Sequence, residues 1–445
     1  MPSLSALLRL ATQGALALLP SSAPQGTTTN AAITTTAATP ATPAITPSLR
    51  GLGHQKTVAA DSPIDLGTGK LTWTGTHKEI RVNGHSWKLK GLSWFGLEVG
   101  DSNVLLGLNR RSLDEILQFL VDNNFNAIRI PFSTKWALDY DSTVRGSFRD
   151  GGIDGQLSRR DFLNKVISRA ADYKILVMLD SHRLDDQSIP ELWYSPEYPY
   201  EAMLQAWDTI LGDVKHHWNV FAIDLKNEPH GLATWGTGDE STDWNTAAEK
   251  IGAHLLEKHP EFTGLVFVEG LGYSIEFESI KAHPINFGKR EWNDRLVYSP
   301  HQYGPSVTGD EHFKGYVNFP DSQLSEWERC WGFIEETTGH ACVLGEWGGQ
   351  YDSYHNDKDV VWQNRFAKYL VEKCLSDQFV WDLNPESGDT GGVLKSNWWD
   401  EEEAKLALYH TVQPHPSWLY KEGDHFYLEP GKYANPKCDP NNKRQ

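Results

Sequence analysis

Basic residues are scarce in this 445-residue chain, where 41 Lys and Arg face 59 Asp and Glu for a formal net charge of −18. Nucleic acids and anionic membranes both select basic surface, so neither is expected as a partner. Cysteine is scarcer still. The four present, Cys330, Cys342, Cys374 and Cys438, lie in the last third and match no zinc spacing, so one or two disulfides are expected, with three pairings open if all are used. Cys342, in an apolar strand-like run, reads equally well as a buried free thiol. No comfortable membrane span is present: Met1–Ala23 is short, broken by Arg9, and ends in the small-x-small Ser21-Ser22-Ala23, so 1–23 reads as a signal peptide. A Gly-rich dinucleotide fingerprint, a short internal repeat, an Asn-x-Ser/Thr sequon and a His-x-His at a strand end are all missing. No organic cofactor and no metal is therefore expected.

Aromatics, by contrast, are plentiful, with 18 Trp, 16 Tyr and 17 Phe. Most belong to a core, and the rest are the usual platforms for sugar faces. Thr27–Pro47 is a Thr/Ala/Pro tract that cannot bury enough apolar surface to fold, which makes 24–60 an extended linker of an exported protein. A folded domain is expected over 61–425 and a tail over 426–445. Its start carries short alternating runs around the tight-turn signal Asn83-Gly84, a β-layer capping one end. Strand-like and helical runs then take turns. Strands are expected at 89–94, 126–130, 175–179, 221–225, 264–268, 296–298, 342–346 and 379–383. Helices are expected between them, the first opened by the capping box Ser112…Glu115. Eight strands with intervening helices imply an α/β fold, a (β/α)8 TIM barrel.

A barrel gathers its strand ends at one mouth, and here those ends carry chemistry. The stretch Asp224–Gly231, DLKNEPHG, closes a buried strand with Asn227, Glu228 and Pro229, while Leu344-Gly345-Glu346 closes another. Two strand-end glutamates suit glycoside hydrolysis, in which one carboxylic acid protonates the leaving oxygen and one carboxylate attacks the anomeric carbon. The nucleophile must stay ionised, and Arg129 and the Tyr303 hydroxyl are the available donors for Glu346. Asn227 suits a sugar 2-hydroxyl, His182 and His301 suit positioning, and Trp381 suits stacking beneath a sugar ring. The residue reading leaves open a non-catalytic carbohydrate-binding wall protein.

The motifs GLSWFG (Gly91–Gly96), IRIPFS (Ile128–Ser133), LDSHR (Leu179–Arg183), LWY (Leu192–Tyr194), DLKNEPHG, VYSPHQYG (Val297–Gly304), LGEWGG (Leu344–Gly349) and WDLNPESGDTGG (Trp381–Gly392) occur in that order. In them the chain resembles glycoside hydrolase family 5 (cellulase family A), in its bacterial endoglucanase branch. The resemblance implies a secreted, monomeric enzyme that cleaves internal β-1,4 bonds of a β-glucan with retention. It implies Glu228 as acid/base, Glu346 as nucleophile, and Arg129, His182, Asn227, His301, Tyr303 and Trp381 as the surrounding shell. Trp94, Trp193, Tyr194 and Trp235 match or neighbour aromatic positions along the glucan cleft. A β-mannanase or another β-glucanase shares this catalytic pair, since sugar choice lies in loops.

Overall fold

A short antiparallel layer leads into the barrel. β1 (Ile64–Gly67) is followed by β2 (Trp73–Thr74), β3 (Arg81–Val82) and β4 (His85–Ser86), the last three paired as a meander. Asn83 and Gly84 turn the chain between β3 and β4 with φ of 48° and 81°, the left-handed pair that a tight hairpin requires. The computed structural model describes residues 62–439 apart from 101–102, 147, 150–152, 154, 310–312, 314–317 and 352–356. The expected signal peptide and the Thr/Ala/Pro linker lie outside the described residues.

The barrel strands follow: β5 (Lys90–Ser93), β6 (Ala127–Ser133), β7 (Leu176–Arg183), β8 (Val220–Asp224), β9 (Leu265–Val268) and β10 (Leu296–Tyr298), which β11 (His301–Tyr303) continues. β12 (Ala341–Cys342), continued by β13 (Glu346–Gly348), and β14 (Gln378–Val380) complete the set. Eight of them form one parallel sheet in the order β12-β10-β9-β8-β7-β6-β5-β14. A parallel bridge between Leu344 and Gln378 joins its two ends, the Phe379 N–H donating to the Leu344 carbonyl at 2.7 Å. The sheet is thus a (β/α)8 barrel, as expected. Its strands are buried on both faces, which is why they read as continuous apolar runs and not as alternating ones.

Two cores hold the barrel. The outer one lies between strands and helices; the inner one fills the barrel and its amino-terminal end. There Trp73 and Trp87 from the entry layer meet Phe221 of β8, with ring centroids 5.3 to 5.4 Å apart. Each such aromatic contact adds about 0.5–1.5 kcal/mol beyond its area burial. The capping box is present on helix Leu113–Asp122: Ser112 Oγ accepts from the Glu115 N–H at 3.2 Å, and Glu115 Oε2 accepts from the Ser112 N–H at 2.8 Å. One of the helices between strands, running from Leu324 to Thr338, is widened over Glu328–Gly332 into a π-helical segment between Leu324–Trp327 and Ile334–Thr338. The widened turn falls where Trp327 and Trp331 pack against the helix Lys358–Lys373 and Cys330 is buried.

The expected domain end at 425 falls at the first residue of a strand. β15 (Trp418–Glu422) and β16 (His425–Glu429) pair with β1 in a three-stranded antiparallel sheet that buries Phe426 and Leu428 in the inner core. Beyond it, Cys438 forms a disulfide with Cys374 at the end of helix Lys358–Lys373, while Cys330 and Cys342 are free and buried. One of the two expected disulfide counts is therefore realised, and Cys342 takes its free-thiol alternative. Denaturation without reductant should expose two alkylatable thiols by mass spectrometry; four would contradict the pairing. Cys438→Ser should cost about 2–4 kcal/mol, read as a lower urea midpoint.

Candidate active site

The carboxyl ends of the strands converge on one guanidinium. Arg129 sits mid-β6, fully buried. Its Nη1 donates to Glu346 Oε1, and its Nη2 lies 2.9 Å from Asn227 Oδ1, 3.0 Å from Asp180 Oδ2, 3.4 Å from Glu269 Oε1 and 3.5 Å from Asp224 Oδ2. Burial would lower its pKa, but these carboxylates hold it well above the ordinary value. They cannot all be ionised around so little positive charge. Asp224 accordingly is pushed well above its ordinary value by burial and the Glu269 charge, and burial moves Asp180 up to about 7 against the pull of Arg129. Burial would raise Glu269 as well, yet His301 and Arg129 hold it below its ordinary value.

Strand register sets the two glutamates. β11 and β13 run parallel with His301 opposite Glu346, and Gly345 allows the approach because a Cβ there would lie 2.2 Å from Ser299 Oγ and 2.8 Å from His301 Nε2. Glu228 follows β8 with φ of 51°, a strained value for a non-glycine residue, and is held there by its N–H donating to Glu269 Oε2 at 2.6 Å. The two side chains meet through His301. Its Nδ1 is 3.1 Å from Glu228 Oε1 and 3.6 Å from Glu346 Oε2, and its Nε2 is 3.2 Å from Glu269 Oε1. Burial opposes the imidazolium, but these surrounding carboxylates raise His301 well above its usual value, and its Nδ1 donates to Glu228 Oε1.

Glu346 receives both of its expected donors. Arg129 takes Oε1, and the Tyr303 hydroxyl donates to Oε2 at 2.7 Å. Burial pushes the Glu346 carboxyl up, with His301 and Arg129 pulling it back. Tyr303 remains a protonated phenol, raised well above its ordinary value by burial and the Glu346 charge. His182 is the neutral member: burial takes it well below its usual value, its Nδ1 donates to Asp180 Oδ2 at 2.7 Å, and its Nε2 accepts from Asn227 Nδ2 at 3.4 Å. Its ring stacks with Trp381 at 5.3 Å, and Phe95 stacks with the same indole at 5.6 Å.

Above this floor lies a cavity of about 440 Å³ that His182, Glu228, Tyr303, Glu346 and Trp381 help to line. The eight residues expected at the strand ends are therefore together. The four further aromatics are not among those lining it. Trp94, Trp193 and Trp235 are buried in the core, where the indoles of Trp94 and Trp235 donate to the Leu106 and His283 carbonyls, and the Tyr194 hydroxyl donates to the Ser241 carbonyl. Phe95, Tyr303 and Trp381 are the aromatics that line this cavity. Among the described residues, two groups have ligand atoms near enough to hold a metal ion: Glu228, His301 and Glu346, and Asp180, Asp224 and Glu269. In the second, Arg129 Nη2 supplies the cation. Sequence reasoning gave no role to Asp180, Asp224 or Glu269, although each stands at a strand end, the signal that found the others.

Residues 82–387 match the family described as "Cellulase (glycosyl hydrolase family 5)". The major extracellular endoglucanase of Xanthomonas campestris pv. campestris is 35% identical over 340 residues, covering 73% of this chain and 67% of that protein. An endoglucanase of Paenibacillus polymyxa is 32% identical over 339 residues, covering 73% and 82%. Among solved structures, a hyperthermophilic endocellulase from the archaeon Pyrococcus horikoshii superposes with a TM-score of 0.72 at 31% identity, over 78% of this chain and 99% of that one. That endocellulase has also been solved in complex with cellotetraose. With the family match spanning more than half of its length and the barrel in place, this chain belongs to glycosyl hydrolase family 5 and is a glycoside hydrolase.

Proposed function

We propose that the enzyme is a retaining endo-β-1,4-glucanase in which Glu228 is the acid/base and Glu346 the nucleophile. The observation that carries the reading is a separation: the ligand atoms of Glu228, His301 and Glu346 all lie within 4.8 Å of one another. Retaining pairs stand about 5–5.5 Å apart, whereas inverting pairs need roughly 6.5–9.5 Å to admit a water between carboxylate and sugar. The Glu346 carboxylate attacks the anomeric carbon as Glu228 gives its proton to the departing glycosidic oxygen, leaving a glycosyl ester on Glu346. Water then attacks that carbon, loses its proton to Glu228 and frees the Glu346 carboxylate. Arg129 and Tyr303 each hold one oxygen of the nucleophile, and His301 orients the acid. Asn227, fixed by Arg129 and His182, is placed to meet a 2-hydroxyl, and Trp381 to stack beneath the ring.

The choice of glucan rests on the relatives, which are named endoglucanases, and on the cellotetraose complex of the archaeal one. Secretion is supported by the Xanthomonas relative, described as extracellular, and by the disulfide. Glu228→Gln and Glu346→Gln should each lower kcat on soluble β-1,4-glucan by roughly 10²–10⁴-fold. With dinitrophenyl β-cellobioside, Glu228→Ala should be accelerated by azide and give the β-configured cellobiosyl azide. An α-configured product would sink the assignment, and faster release of sugars from mannan than from glucan would move the enzyme to a mannanase.

The raised Glu346 carboxyl fixes the acid side of the pH profile. The carboxylate is the reactive form, so activity is lost as pH falls through that raised value, and the acid limb of kcat/KM should lie above 4.5. Tyr303→Phe removes a donor to the carboxylate, so the limb should move further up and kcat should fall roughly 10-fold or more. A limb unmoved by the substitution would separate Tyr303 from the nucleophile.

A further inference from the structure

The cavity holds hydrogen-bonding capacity that the proposed chemistry does not use. Glu98 lies just beyond β5 on the loop that carries Phe95, and it is fully buried while lining the cavity. Its Oε2 accepts from the Gly96 N–H at 3.0 Å, and its Oε1 has no hydrogen-bond partner. Arg183, the last residue of β7, lines the same cavity, and its Nε is buried without a partner. Its charge bears on Glu98, yet among the described residues no ion pair joins them. A buried carboxylate oxygen and a buried guanidinium N–H left unpaired on residues that line one cavity are costly in a folded protein. Where such atoms lie on a cavity wall, a ligand in the cavity can complete them. Burial pushes the Glu98 carboxyl up to about 7, against the pull of Arg183 and the Gly96 N–H, so near neutral pH it can donate as well as accept.

The chemistry of the polymer says which hydroxyls fit. In a β-1,4-linked chain O4 is in the linkage, so each internal glucose keeps a single vicinal pair of free hydroxyls, O2 and O3, both equatorial. Resting on the glucanase reading above, we propose that Glu98 and Arg183 bind the 2,3-diol of a glucosyl unit next to the cleavage point and thereby read the configuration at C2. A carboxyl and a guanidinium grip an equatorial diol from one side, Glu98 Oε1 on one hydroxyl and the Arg183 fork on the other. In a mannosyl unit O2 is axial and leaves that plane, so the carboxyl and the guanidinium cannot close on the diol together and the grip is lost. Penalties of this kind give hydrogen-bonding sites their selectivity.

The test separates binding from turnover. Cellotetraose and mannotetraose are titrated calorimetrically into Glu346→Gln, and into that variant carrying in addition Glu98→Gln or Arg183→Gln. Each added substitution should raise the Kd for cellotetraose about 10-fold or more and change that for mannotetraose by less than about threefold, with the thermal melt unchanged. Values for cellotetraose within about twofold in both variants overturn the proposal, as does an equal loss for the two sugars. Should Glu98→Gln fail to fold, Arg183→Gln, at the less buried member, decides alone. Glucan hydrolysis by the unsubstituted enzyme with unchanged Kd in the variants defeats this inference and keeps the glucanase reading. Cellotetraose binding that depends on Glu98, in an enzyme inert toward glucan, does the reverse.

Discussion

The constraint on which the rest of the mouth depends is the burial of one guanidinium, that of Arg129, among more carboxylates than it can neutralise. Taking each of these ions out of water costs several kcal/mol, and the cost is offset only when every charge finds partners of good geometry. The barrel supplies that geometry because β6, β7, β8 and β9 are parallel neighbours: their register sets Asp180 opposite Asp224, and Glu269 follows the end of β9. Once Arg129 is fixed, Asn227 and Glu346 are fixed with it. Once Glu269 is fixed, so are the strained backbone of Glu228 and the ring of His301. The two glutamates thus hang from one network, and their separation is a property of the sheet more than of the loops.

The opposite end of the barrel meets a different need. Trp73, Trp87 and Phe221 close it with apolar contacts, and β1, β15 and β16 cover it with a second small sheet. Packed interiors lose stability for every methylene misplaced, but they carry no unpaired charge. Strain at the mouth, in the left-handed Glu228 and the crowded carboxylates, is thereby carried by a scaffold whose other end is closed chiefly by apolar packing, with the buried Lys88–Glu79 pair as an ionic element. This division between a stability face and a chemical face follows from the (β/α)8 architecture itself.

Legibility in the sequence followed the same division. Strands buried on both faces leave uninterrupted apolar runs, so β5 to β10 could be placed to within a few residues, and a polar residue ending such a run marked the mouth. The capping box at Ser112 was legible because both of its partners lie within one turn. What failed depended on contacts distant in sequence. The wide turn at Glu328–Gly332 answers to packing against a helix about thirty residues on, and β16 finds its partner in β1 across almost the whole described chain. The aromatics Trp94, Trp193 and Trp235 carry the same letter as a sugar platform and are core, because an indole satisfies its N–H in either place.

Glu98 shows why some site residues leave no mark at all. Asp180, Asp224 and Glu269 are spent on Arg129 and His301, and their polar atoms turn inward to position other groups. Glu98 stands one residue past the conspicuous Trp-Phe-Gly-Leu run, carries an ordinary letter, and is distinguished by lining the cavity with an oxygen that the fold leaves unpaired. Pairing is a three-dimensional fact, so no spacing announces it. Asp180 and Asp224 each keep one unpaired oxygen as well, but neither lines the cavity, and both are held by Arg129. Glu98 joins an unpaired oxygen to a place on the cavity wall, and that is where the protein still has free energy to gain from a bound sugar.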